Sequence, residues 1–165
     1  MATVLGVDTP DLHPDCAILA GLLGTWRGEG AGEYPTIDPF SYREEVTFTH
    51  VGTPVLWYTQ RTRNPASGLP MHAETGFWRP LPPDRVEVVI AHPTGVAEIQ
   101  EGTVDRGRIE LKSASITHTA TAKEVTVVER SFRLDGDVLS YTLRMAAVGE
   151  PVTHHLAAEL RRVHG

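Results

Sequence analysis

His13-Pro-Asp-Cys-Ala-Ile-Leu-Ala-Gly-Leu-Leu-Gly24-Thr-Trp-Arg-Gly-Glu-Gly30 changes its period part-way along. Up to Gly24 the apolar residues Ile18, Leu19, Leu22 and Leu23 recur at helical spacing. Pro14 suits a first helical position, Asp15 complements the helix dipole and Gly24 suits a stop. The spacing predicts one short helix over 14–23, whose apolar stripe plugs a neighbouring structure. After Gly24 the pattern alternates, and Gly28 and Gly30 in the first alternating segment allow another backbone to approach closely. Trp26 reads as a core anchor beside the plug. The same glycines have neither the spacing nor the following helix of a nucleotide-binding loop.

The alternation continues nearly to the C-terminus. Turn signals punctuate it at Val51-Gly-Thr-Pro54, Asn64-Pro-Ala-Ser-Gly68, Pro80-Leu-Pro-Pro-Asp84, His92-Pro-Thr-Gly95, Asp105-Arg-Gly107 and Asp135-Gly-Asp137. Between them lie strand-like segments over 25–33, 41–51, 54–63, 71–79, 85–92, 95–103, 107–114, 123–134, 137–148 and 153–163. In one of them Leu139, Tyr141, Leu143 and Met145 share a face, with Ser140, Thr142 and Arg144 on the other. Connections this short favour an antiparallel meander over βαβ units. About ten consecutive strands must split into a sandwich or close into a barrel to remove their edges, and a barrel can enclose a ligand cavity. The expected fold is all-β: a ten-stranded antiparallel up-and-down barrel with a short N-terminal helix. Residues 1–165 read as one domain, with 1–10 a loose tail.

Composition narrows the functions. The 165 residues are 41% hydrophobic and 22% charged, enough for a packed core. The net charge is −6, and the basic residues, only two of them lysines (Lys112 and Lys123), are scattered among acids. Nothing resembles the clustered basic surface that nucleic acid requires. No apolar run approaches the ~20 residues of a membrane-spanning helix, and the N-terminus lacks the pattern of a secretory signal. Cys16 is the sole cysteine, so there is no disulfide framework, and it reads as a small hydrophobe. A cytoplasmic location is expected. The oligomeric state is not legible.

Common catalytic motifs are absent, including His-Glu-x-x-His and Gly-x-Ser-x-Gly. The eight histidines are the more informative feature. His13, His118 (in a loop) and His164 read as solvated. His50 and His92 read as hydrogen-bonding residues at a strand end and in a turn. His72 opens the strand His-Ala-Glu-Thr-Gly-Phe-Trp78. His154 and His155 are adjacent, so on a regular strand they face opposite sides. No spacing assembles a multi-histidine zinc or iron site. Haem differs, because it needs only one protein ligand, and a lone pocket histidine in a barrel would serve.

Six blocks in order now carry a family resemblance. They are Gly24-Thr-Trp-Arg-Gly-Glu-Gly30, Gly32-Glu-Tyr-Pro-Thr-Ile37, Glu45-Val-Thr-Phe48, His72-Ala-Glu-Thr-Gly76, Ala122-Lys-Glu-Val-Thr126 and His155-Leu-Ala-Ala158. The chain resembles the nitrobindin family of haem-binding β-barrels, which are related in shape to fatty-acid-binding proteins. The first block matches the family's G-x-W-x-G-x-G signature, and the likeness runs from about Leu19 to Arg162.

The resemblance implies a ten-stranded antiparallel barrel with one haem b per chain at an open end. It implies that a histidine of the last strand, here His155, holds the iron. Thr36 would lie against the haem edge, and Met71, His72 and Met145 would line the pocket, with His72 nearer the distal or rim side. Lys123 is a partner for a propionate or, equally, a solvated hairpin lysine. Alternation alone groups His154 with Leu156, Ala158 and Leu160 on an apolar face, which would turn His154 inward; the resemblance names His155, with His154 its rival. The same segment also has good helical propensity.

The activity implied is that of a ferric haem protein that binds nitric oxide reversibly and isomerises peroxynitrite to nitrate, with no catalytic residue beyond the iron. The alternative is a carrier or sensor of nitric oxide or of a small apolar ligand, without turnover. A haem-free enzyme built on His72 and Glu74 lacks an orienting partner and a nucleophile.

Overall fold

A computed structural model of the chain describes residues 10–164. The tail expected over 1–10 falls, apart from residue 10, outside them. A 3₁₀ helix, Pro14–Leu22, leads into ten strands: β1 (Gly24–Tyr34), β2 (Ile37–Thr49), β3 (Leu56–Arg63), β4 (Pro70–Leu81) and β5 (Arg85–Ala91). They continue as β6 (Val96–Asp105), β7 (Arg108–His118), β8 (Val125–Asp135), β9 (Val138–Ala147) and β10 (Thr153–Arg162). Each strand pairs antiparallel with the next, and β10 returns to β1 to close the barrel. The expected fold class is the observed one. The two largest boundary shifts are at β2, which begins at Ile37 in an irregular pairing with Tyr34, and at β7, which runs on to His118. His118 is therefore a strand residue and not a loop residue, and its Nε2 accepts from the Val125 amide at 2.9 Å.

The helix plugs one end, as its apolar stripe implied, but with a different period. Cys16, Leu19 and Leu22 are its buried residues, three apart, while Ile18 and Leu23 are only half-buried. A 3₁₀ helix turns every three residues, so it aligns i with i+3 instead of i+4. Trp26, fully buried, donates from Nε1 to the Leu22 carbonyl at 2.8 Å. Arg162, at the end of β10, stacks 4.2 Å over the Trp26 ring and donates from Nη2 to the Gly21 carbonyl at 2.8 Å. The last strand thus locks the plug.

Gly28 lets the barrel close, because a Cβ there would strike the Glu159 carbonyl of β10. The backbone approach expected of this segment is present at Gly28, whereas at Gly30 the near group is a side chain, the Tyr42 ring of β2, which a Cβ would enter.

Inward-facing residues change character in the same order along successive strands. Read from the plug outward, β2 presents Phe48, Val46 and Glu44; β4 presents Trp78, Glu74 and His72; β8 presents Phe132, Arg130 and Val128. The interior is therefore an apolar floor, then a polar belt, then an open end, and the cavity reaches from that end past the belt to Val46, Phe132 and Leu160. Trp26 and Tyr34, both buried on β1, stand about 26 Å apart along it at ~3.3 Å per residue.

Candidate functional site

The cavity, whose lining takes in Glu44, Glu74, Glu98 and Arg130 as well as residues nearer the open end, has a volume of about 670 Å³. Its wall is largely apolar, with Ile37, Phe40, Val128, Leu143, Met145 and Leu156 among the lining residues. All six positions singled out by the resemblance, Thr36, Met71, His72, Lys123, Met145 and His155, line it, whereas His154 does not. Thr36, Met71 and Lys123 are exposed at the rim, and Met145, His72 and His155 are half-buried.

A β-bulge explains why His155 and not His154 reaches the cavity. On β9 and β10, His154 pairs with Arg144 and Leu156 with Leu143, so His155 is the extra residue opposite a single step of the partner strand. An extra residue resets the alternation. Leu156, Ala158 and Leu160 keep the inward parity below the bulge, His155 joins Leu156 on the cavity wall, and His154 turns away. His155 Nδ1 lies 3.0 Å from the Glu33 carbonyl, which can only accept, so Nδ1 carries the proton and Nε2 keeps its lone pair. The ring is held edge-on by Tyr34 at 5.4 Å and Phe40 at 6.2 Å. Burial, more than offsetting the Glu33 bond, draws the imidazole pKa below its ordinary value and keeps it neutral.

Deep in the cavity lies a belt of buried polar side chains that the sequence reading did not identify. Arg130 donates to Glu74 through Nη1 at 2.7 Å and to Glu98 through Nη2 at 3.2 Å. The Tyr58 hydroxyl donates to Glu74 at 2.6 Å, and the Tyr141 hydroxyl and Gln60 amide donate to Glu44 at 2.8 and 3.0 Å. Burial alone would raise the Glu74 and Glu98 carboxyls, but the Arg130 guanidinium and the histidine contacts hold both below the usual range. Glu44 has weaker help, and burial pushes it up to about 7. His92, read from the sequence as a turn residue, belongs to this belt: its side chain is 8% exposed, and Nε2 lies 2.7 Å from Glu98. A usable signal was present, since Glu44, Glu74 and Arg130 each share strand parity with buried aromatic residues.

A family model described as "THAP4-like, heme-binding beta-barrel domain" matches residues 15–162. The chain belongs to this family. The nitrobindin resemblance drawn from Gly24–Gly30 and the five later blocks is upheld. Within the THAP4-like family, the chain is 58% identical over 156 residues to a protein named "Peroxynitrite isomerase 2" from Mycobacterium ulcerans, covering 92% of this chain and 97% of that one. It is 58% identical over 155 residues to "Peroxynitrite isomerase" from Nocardia farcinica, covering 92% of each. A solved structure, Rv2717c from M. tuberculosis, superposes with a TM-score of 0.88 at 54% identity, covering 93% of this chain and 100% of that one.

The residues of this THAP4-like barrel fit a haem. The cavity offers one neutral imidazole with its Nε2 free, apolar walls for a macrocycle and an exposed rim bearing Thr36 and Lys123 for carboxylates. Among the described residues no helix is long and apolar enough to cross a membrane.

Proposed function

We propose that the chain is a haem b protein, one haem per chain, that isomerises peroxynitrite to nitrate and binds nitric oxide at the same centre. One observation carries the reading: the His155 imidazole, tied through Nδ1–H to a backbone carbonyl, turns its free nitrogen into a largely apolar cavity. The match to relatives named peroxynitrite isomerase over more than nine-tenths of the chain supports it.

In this reading His155 would hold the iron, and the Glu33 carbonyl fixes the imidazole's tautomer and raises its basicity. When bound, haem would supply a Lewis-acidic iron for a small oxygen or nitrogen ligand. Ile37, Phe40, Met145 and Leu156 exclude water from the cavity, which suppresses competing hydrolysis and reduction. Thr36 and Lys123 would meet the propionates at the rim, and Met71 and His72 would line the pocket on the rim side. The setting is the cytoplasm.

Stopped-flow decay of peroxynitrite tests the activity. Ferric protein reconstituted with haemin accelerates the decay and raises the nitrate yield, while haem-free protein does neither. Equal decay with and without haemin, alongside intact haem and nitric oxide binding, would make the chain a carrier instead.

A further inference from the structure

His72, Glu74 and His92 stand together where the cavity meets the polar belt. His72 Nε2 lies 3.2 Å from His92 Nδ1, and Glu74 Oε2 lies 3.8 Å from the first nitrogen and 3.5 Å from the second. Nitrogen and oxygen ligands bind zinc-like dications at ~2.0–2.2 Å, which places tetrahedral neighbours ~3.3–3.6 Å apart and octahedral ones only ~2.8–3.1 Å apart. The three edges, 3.2, 3.5 and 3.8 Å, straddle the tetrahedral range and all exceed the octahedral one.

The surrounding groups prepare these atoms as ligands. His92 Nε2 lies 2.7 Å from Glu98 Oε1, and with Nε2 donating to that oxygen, Nδ1 points its lone pair at the other two atoms. A carboxylate behind an imidazole is the usual arrangement for orienting a metal-binding histidine. Gln100 donates to the second oxygen of Glu98 and fixes it in turn. Glu74 and Glu98 share one guanidinium, that of Arg130, so two acidic side chains face a single cationic one beside the triangle. His92 and Glu74 are 8% and 5% exposed while His72 is 36% exposed, so the triangle is buried on two sides and open to the cavity on the third.

We propose that His72, Glu74 and His92 bind one divalent first-row cation of the zinc class, with its fourth position facing the cavity. The two-histidine, one-carboxylate set also suits iron(II), but the near-tetrahedral edges favour zinc. The site does not rest on the haem reading, because His155 is not among its ligands.

The test is titration of the metal-stripped full chain, free of haem, with Zn²⁺ by calorimetry and with Co²⁺ by visible absorption. One Zn²⁺ per chain binds, and Co²⁺ gives the intense bands of a tetrahedral ligand field. His72→Gln and His92→Gln, checked for folding by circular dichroism, each lose saturable binding. Glu98→Gln weakens it by ~10–100-fold, and His155→Ala retains it while losing haem. Weak octahedral cobalt bands in the unaltered protein would overturn the site without recourse to any variant. So would absence of saturable Zn²⁺ binding, which would leave the His72–His92 contact as a hydrogen bond, or loss of binding with His155→Ala.

Discussion

Glu44 is buried inside the barrel with hydroxyl and amide donors rather than a cation beside it. Its carboxyl is pushed up to about 7 by burial. A raised carboxyl binds a proton in the folded state that the unfolded chain has already released. Its stabilising contribution is therefore full below the unfolded value of ~4.5 and is lost as pH rises toward 7. Glu44→Gln should flatten this fall, worth about 3 kcal/mol across the window, in urea unfolding curves at pH 4.5 and pH 8. A slope unchanged by the substitution would contradict the assignment. His155 carries the other lesson at this scale. Period-two reading of β10 pointed to His154, because a one-residue bulge leaves no mark in the composition of Thr153–Arg162. Only the register against β9 reveals the reset.

The N-terminal helix was legible as an element but not in its winding. Pro14, Asp15 and Gly24 marked its limits, and an apolar stripe is compatible with either period when Leu19 and Leu22 belong to both. The structure separates them: Leu19 is 1% exposed and Ile18 is half-buried. Leu19→Ala should cost ~2–5 kcal/mol through the cavity it leaves, and Ile18→Ala markedly less, by denaturant midpoint. Equal costs would restore the α-helical stripe. The strands were legible through their turns, since Gly and Pro clusters set nearly every boundary. The polar belt was not read, because Glu and Arg in a strand are ordinarily assigned to the solvent face. In Val128-Glu-Arg130-Ser-Phe132 the parity pointed inward, and the chemistry of a closed lumen overrode the usual assignment.

Across the whole molecule, Arg130 on β8 reaches Glu74 on β4 and Glu98 on β6, so one side chain ties three walls of the barrel through its middle. Removing the cation strands two buried carboxylates. Arg130→Met should therefore destabilise the barrel by ~3–5 kcal/mol at neutral pH. The loss should shrink below the ordinary carboxylate range, because Glu74 and Glu98 are held down only by this partner set, and their contribution fades as pH falls through their depressed values. Thermal unfolding of both proteins from pH 7 to pH 3 checks this, and a deficit independent of pH would argue against the tie. The belt also divides the barrel into two ends with different roles. The plugged end carries stability, and the open end carries the site.

Which of two adjacent histidines faces the cavity decides where the chain would hold a haem. The deciding measurement is haemin titration of the unaltered chain, His155→Ala and His154→Ala, followed by the Soret band. The bulge at His155 predicts one haem per chain for the unaltered protein and for His154→Ala, and no specific haem for His155→Ala. Retention by His155→Ala with loss by His154→Ala would contradict it.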